Sequence, residues 1–422
     1  MLRTTSPSRP RSRASVALVV LAAVLASLLP ASPPAVASAS AGHAHEVAVR
    51  IAPGADIDGL AAAVGADASR PLVAGHGLWL LAFTERSLAE DAPDELEDLP
   101  GVRWSVPHEQ AEAPVASHRS WAWAEVEAHH RSWAWAEEEL TEQQLVGLWR
   151  RSPLADTLGL AEAHRAGRGD GAVVAVLDTG LEVGHPALAG ADVRPGWDLV
   201  AGDQPEPGTG WGDAAPGHGT AVASLVHLVA PEAALLPIRV LDHEGRGSLA
   251  TLILGIELAV EAGVDVINLS LGTDAESDVL EQVVEEAEAA GIVLVAAVGN
   301  RGEDVEEYPA RSNEVVAVAA VDWNDTAAPF TSDGDWIDLA APGVALPAPA
   351  ADGAWAWWSG TSVAAPLVAG QAALLLGLEP DRRAEDVVDL IETTVVEVER
   401  LDSAIGEGRI DVAASVRALL DD

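Results

Sequence analysis

The sequence predicts an α/β fold on a mostly parallel sheet with helices on both faces, preceded by a smaller α+β unit. Three observations carry this prediction. From about residue 141 onward, short apolar runs alternate with helical stretches. Those apolar runs are continuous rather than alternating, as in strands buried on both faces of a parallel sheet. Before them, residues 46–106 read strand, helix, strand, helix, strand, a small α+β unit with helices on one face of a sheet.

In chain order, residues 46–52 (EVAVRIA) alternate like a half-buried strand, 56–64 read as a helix and 77–84 (GLWLLAFT) as a strand. Residues 88–99 are an acidic helical stretch and 102–106 a further strand. In the second region, 172–177 (AVVAVL), 234–241, 264–271 (VDVINLSL), 292–298 (IVLVAAV) and 315–321 are strands. The helices between and after them are 218–228, 249–262, the acidic amphipathic 277–290, and the apolar 362–376.

The chain has 422 residues, 49% of them hydrophobic, enough for more than one folded unit with a sizeable core. Its formal net charge is -42, which argues against nucleic acid and anionic membrane surfaces as partners. All 24 basic residues are arginine, and cysteine is absent. Disulfides, thiol catalysis and cysteine-bound zinc are therefore excluded.

The amino terminus reads as an export signal spanning 1–39. Arg3, Arg9, Arg11 and Arg13 lead an apolar run, 16–29, that is short for a bilayer span. AVA (35–37) and ASA (37–39) offer small-x-small cleavage sites. A retained anchor is the alternative. Further on, HRSWAWAE occurs at 118–125 and again at 130–137, within an Ala/Glu-rich stretch, 111–144. Two copies are too few for a solenoid, and the segment reads as a duplicated linker.

Three turns in the second region could hold chemistry: Asp178-Thr179-Gly180 after a buried strand, Gly217-His218-Gly219-Thr220 opening a helix, and Gly360-Thr361-Ser362 opening the last apolar helix. In open α/β sheets ligands bind beyond the carboxyl ends of the strands, where these turns can converge. A serine hydroxyl needs a base to take its proton, and His218 can be that base. The imidazole needs its tautomer fixed and its cation stabilised, and Asp178 can do both. A tetrahedral oxyanion needs donors, which the Ser362 amide and the side chain of Asn300 (in VGN, 298–300) can supply. Each residue also has a plain structural reading: a turn cap for Asp178, a helix cap for Ser362, a buried histidine, a turn asparagine.

The stretches VVAVLDTGLEVGHPAL, GHGTAVASLV, INLSLG, AAVGN and SGTSVAAPLVAG resemble those of the subtilisin-like serine proteases (subtilases, peptidase S8 type), from about residue 145 to the carboxyl end. The resemblance implies a three-layer α/β/α sandwich around a seven-stranded sheet. It implies Asp178, His218 and Ser362 as catalytic residues and Asn300 with Ser362 as the oxyanion hole. Ser270, Leu271 and Gly272 would wall the S1 pocket, and the segment 245–248, with Gly247 and Ser248, would face an extended substrate.

On the same basis, 44–110 resembles an inhibitor-type propeptide of ferredoxin-like form, 111–144 is a linker, and 145–422 is the catalytic domain. Self-cleavage is expected between 109 and 145. The chain passes almost directly from Val226 to Val229-Ala230-Pro231, where secreted members of the family carry a calcium loop. The expectation is therefore no required cofactor, no strong calcium site, and only weak calcium binding by carboxylates. Glu307, before Tyr308-Pro309, falls near the floor of S1 by the same resemblance. It would favour a basic substrate side chain there, or else belong to a solvated acidic loop with Glu303, Asp304 and Glu306.

The resulting expectation is a secreted (extracellular or periplasmic), self-processing, monomeric serine endopeptidase. Its partners would be polypeptide substrates and its own propeptide, with no nucleic acid and no membrane after signal removal. Three other readings are set beside it. The first is a catalytically silent secreted scaffold on the same fold. The second is a pepsin-like aspartic protease, from the Asp-Thr-Gly turn. The third is a dinucleotide site, which lacks the G-x-G-x-x-G spacing.

Overall fold

The computed structural model describes residues 45–112, 142–200, 217–396 and 405–421, apart from 74, 109, 243, 303, 304, 351 and 352. The expected export signal and the HRSWAWAE duplication lie outside the described residues.

The first elements are β1 (His45–Ile51), α1 (Ile57–Ala63), β2 (Ala68–Val73), β3 (Leu78–Phe83), α2 (Arg86–Glu97), β4 (Val102–Pro107) and the short β5 (Gln110–Glu112). β1 to β4 form an antiparallel sheet in the order β2-β3-β1-β4, and the βαββαβ chain path is ferredoxin-like. β2 is absent from the sequence reading. Its residues, ASRPLV, are mostly exposed and include Pro71, as befits an edge strand with little apolar signal.

Strand periodicity decides how this sheet is used. On β1, Val47, Val49 and Ile51 face α1 and α2, together with Leu81 and Phe83 of β3. Ala48, Leu78, Leu80, Trp104 and Val106 point the other way, into the core beneath the second sheet. Arg50 also points that way and meets the carboxylate of Glu257 (Nε to Oε2, 3.3 Å), which accepts a further bond from Trp104 Nε1 at 2.9 Å. A buried guanidinium needs such a partner, because an unpaired charge there costs several kcal/mol, of order 3–5 when one member of a pair is removed.

The second region runs α3 (Glu142–Trp149), α4 (Pro153–Thr157), α5 (Leu160–Ala166), β6 (Val173–Asp178), β7 (Asp192–Val193), β8 (Trp197–Asp198), α6 (His218–Val229), β9 (Ala234–Arg239) and β10 (Arg246–Ser248). It continues through α7 (Leu249–Ala262), β11 (Val266–Leu269), α8 (Asp278–Ala289), β12 (Val293–Ala297), β13 (Val315–Val321), β14 (Leu339–Pro342), β15 (Leu346–Pro349) and β16 (Trp355–Trp358). The last three helices are α9 (Thr361–Leu378), α10 (Ala384–Thr393) and α11 (Val412–Asp421).

The main sheet has the order β14-β13-β12-β11-β6-β9-β7, with β8 also on β9, and every one of these pairings is parallel. Seven sheet positions therefore hold eight strands, because one edge is split into two fragments. Each continuous apolar strand divides its side chains between two cores. Val174 and Val176 of β6 face α6 and α9, while Val173, Ala175 and Leu177 face α7 and α8. This is the α/β/α layering that the uninterrupted apolar runs demand. Only Ala230 to Ala233 connect α6 to β9.

The antiparallel and parallel sheets lie in one compact unit, Ala44–Asp422. β5 joins them: it pairs antiparallel with β10, with Gln110 opposite Ser248, Ala111 opposite Gly247 and Glu112 opposite Arg246.

Candidate active site

Asp178 ends β6 and is almost wholly buried. Its Oδ1 accepts the backbone N–H of Thr179 at 2.6 Å and lies 2.8 Å from Nδ1 of His218. His218 opens α6 and is fully buried. The next residue, Gly219, makes the approach sterically feasible: a Cβ there would lie 2.0 Å from the Gly180 carbonyl oxygen and 3.1 Å from Asp178 Oδ1. Its N–H donates to Thr179 Oγ1 at 3.0 Å. A carboxylate is an acceptor only, so the imidazole carries its proton on Nδ1 and leaves Nε2 basic. The ring packs edge-on against Trp358, with centroids 5.9 Å apart.

Ser362 sits in the first turn of α9, fully buried, after Gly360 at φ 156°, a conformation that favours glycine. A sequence feature explains how this serine is held. Pro366 stands four positions on and has no N–H, so the carbonyl of Ser362 cannot make its ordinary helical hydrogen bond. That oxygen instead accepts from Ser270 Oγ at 2.8 Å, and Ser270 Oγ accepts from Asn268 Nδ2 at 3.0 Å. The backbone of the candidate nucleophile is thereby tied to the end of β11.

Asn300 follows β12, and its Oδ1 accepts the backbone N–H and the hydroxyl of Thr361, at 2.9 and 3.2 Å. Thr361 Oγ1 in turn accepts the Gly299 N–H at 3.2 Å. The amide is thus oriented by its oxygen. Asn300 is thereby held beside the turn that carries Ser362.

The structure therefore joins Asp178 to His218, and Asn300 to the turn carrying Ser362. It shows no hydrogen bond between His218 and Ser362. Nε2 of His218 and Oγ of Ser362 are both buried without a partner among the described residues. Each such atom costs about 1–3 kcal/mol in an ordinary core. Catalytic hydrogen bonds are often unmade without substrate.

The residues expected along the groove divide in two. Leu271 is buried, and Ser270 holds the Ser362 backbone rather than standing free to meet a substrate. Ser248 spends its side chain on a capping box with Thr251 at the start of α7. Gly247 and Ser248 present backbone to β5, and a Cβ at Gly247 would lie 2.4 Å from the Val240 carbonyl oxygen. Gly272 packs against Glu307, and Glu307 is only 3% exposed, so the solvated-loop expectation fails for this residue. Tertiary packing carries it inward: the backbone of Tyr308 exchanges hydrogen bonds with Thr273 at 2.8 and 2.9 Å. Glu303 and Asp304 lie outside the described residues.

The sequence reading missed Thr361, Asn268 and Trp358. Pro366 was a signal for the freed carbonyl, but nothing local pointed to Asn268 or Trp358.

Comparison with known proteins gives a consistent picture. A model of the subtilase family (peptidase S8) matches residues 169–408. Thermitase of Thermoactinomyces vulgaris is 36% identical over 260 residues, covering 61% of this chain and 92% of that protein. Subtilisin BL of Lederbergia lenta is 37% identical over 265 residues, covering 60% and 94%. Among solved structures, a protease of Pseudoalteromonas arctica aligns with a TM-score of 0.57 at 29% identity, covering 62% of this chain and 94% of the other. A lanthipeptide protease aligns with a TM-score of 0.58 at 22% identity, covering 64% and 94%, a likeness of fold alone.

Proposed function

The chain belongs to the subtilase family of serine endopeptidases, and on that premise we propose that it is a secreted, self-processing proenzyme acting through Asp178, His218 and Ser362. One observation carries the assignment: the 2.8 Å Asp178–His218 hydrogen bond, which fixes the tautomer with Nε2 as the base. In the proposed reaction Nε2 takes the Ser362 proton as Oγ attacks the scissile carbonyl. The Ser362 N–H and the Asn300 amide stabilise the oxyanion. His218 protonates the departing amine, and an acyl-enzyme remains. Nε2 then takes a proton from water, which attacks the ester, and returns it to Ser362 Oγ as the acid leaves. No cofactor enters any step. Only four residues connect α6 to β9, which supports the expectation of no strong calcium site at that place and of weak binding by carboxylates.

The N-terminal ferredoxin-like unit serves in this reading as the propeptide. β5 supports it: this segment, directly after the unit, lies along β10 as an added strand, which is how an extended peptide docks on a sheet edge. The linker 111–144 is then the processed region, the secreted enzyme is monomeric, and its substrates are polypeptides.

Mass spectrometry of the secreted protein beside Ser362→Ala tests this. The parent is expected to lose the residues before a cut between 109 and 145 and to label with a serine-directed fluorophosphonate. The variant is expected to stay full length and unlabelled. The silent-scaffold reading has the unmade His218–Ser362 bond in its favour. A parent that neither processes nor labels would establish it.

A further inference from the structure

Resting on the protease reading above, we infer that Glu307 makes this enzyme selective for an arginine or lysine side chain immediately before the scissile bond, with Arg301 paired to Glu307 until substrate displaces it. Glu307 is a buried carboxylate clamped between two backbone segments that each touch the Ser362 turn. A Cβ at Gly299 would lie 2.4 Å from its Oε1, and one at Gly272 2.6 Å from its Oε2. Gly299 precedes Asn300 and donates to Thr361, while Gly272 follows Ser270, whose hydroxyl bonds the Ser362 carbonyl. Any substrate carbonyl placed on Ser362 therefore has the Glu307 carboxylate beside the strand-end turns that flank it. Both glycines are needed, since a side chain at either would expel the carboxylate.

The charge of Glu307 is met by Arg301, Nε to Oε1 at 3.1 Å. The two partners are unequal: Glu307's side chain is 5% exposed and Arg301's 41%. Arg301 also reaches the exposed Asp274, Nη1 to Oδ2 at 3.4 Å. A half-exposed guanidinium with a second carboxylate outside the pocket can leave without stranding its own charge. An incoming guanidinium or ammonium then restores the buried pair, so Glu307 is never left unpaired.

The inference also bears on the duplication. Between residues 109 and 145 the basic side chains are Arg119 and Arg131, one in each copy of HRSWAWAE. The bonds Arg119-Ser120 and Arg131-Ser132 become this chain's own preferred substrates.

The experiment uses the purified secreted protein, with its nucleophile titrated by a serine-directed fluorophosphonate. Its rates are measured on fluorogenic peptides ending in Arg, Lys, Leu, Phe or Glu, and on the peptide of residues 115–125 with the cut located by mass spectrometry. The expected results are kcat/KM at least about tenfold higher for Arg and Lys than for Leu, and a cut after Arg119. Glu307→Gln is expected to remove that preference with labelling retained. Arg301→Ala is expected to raise kcat/KM for Arg severalfold, and an unchanged value overturns the displacement step. A protein that labels but prefers apolar or acidic residues, or cuts the peptide elsewhere, overturns the inference and leaves the protease reading standing. A protein that does not label takes both down. If Glu307→Gln fails to fold, the parent profile and Arg301→Ala still decide.

Discussion

The two ends of α6 hold buried histidines with oppositely charged neighbours. His218, at its start, donates Nδ1–H to the Asp178 carboxylate and keeps Nε2 as a base. His227, in its last turn, has Nε2 3.3 Å from a guanidinium nitrogen of Arg150. Arginine can only donate, so the lone pair of that nitrogen is already used and the proton of His227 sits on Nδ1. Burial, followed by the nearby charges of Arg150 and Arg168, pushes His227 down to about 4. Burial is nearly the same at both ends; what differs is the neighbour, a carboxylate at one end and a guanidinium at the other.

The largest test of this contrast is His218→Ala. Its kcat on a peptide substrate is expected to fall by about 10⁴–10⁶, a magnitude typical of serine proteases and not read from this structure. A loss below tenfold breaks the comparison. Next comes Asp178→Asn, which takes away the acceptor that fixes the His218 tautomer. A fall of about 10⁴ in kcat is expected, again the general serine-protease magnitude, with fluorophosphonate labelling slowed in parallel.

His227 has its effect on stability alone. Its pKa is lower in the folded than in the unfolded chain, so the unfolded state binds the proton more readily. Stability is then full above about pH 6.5, falls as the pH drops towards 4, and loses at most about 3 kcal/mol from this group. Thermal melting of His227→Gln at pH 7 and at pH 4.5 is expected to show a smaller pH-dependent drop than the parent, with kcat unchanged. The smallest expected effect belongs to Arg150→Ala. Removing the second-ranked cause lets the His227 pKa rise part of the way towards its ordinary value. The acid transition moves down by less than about one pH unit, because burial, the larger cause, stays. An equal transition in parent and variant shows that the guanidinium has no part in it.

Much of the candidate site was readable from sequence because it sits at element boundaries with strong local signals. Asp178 ends an apolar strand, His218 and Ser362 open apolar helices, and Asn300 follows a buried strand; each has a glycine within two positions. α7 begins and ends where the sequence reading put it, since Ser248 caps one end and Gly263 the other. The misses have physical reasons. β2 has little apolar pattern because it is an edge strand. β7 and β8 are too short for any periodicity to show. The side chain of Ser248, expected in the substrate groove, was claimed by a helix cap. Glu307, in a run of acids that reads as solvated, was drawn inward by the backbone pairing of Tyr308 with Thr273.

By itself the sequence determined the α/β class, the buried parallel strands and the identity of the groups that can do chemistry. Those follow from the residue's own side chain and from periodicity over a few neighbours. Only the tertiary structure decided which polar and charged groups meet: Asp178 with His218, Arg150 with His227, Arg301 with Glu307, Arg50 with Glu257. Such pairs join residues remote in the chain, and their strength depends on distance and burial, which exist only once the chain has folded.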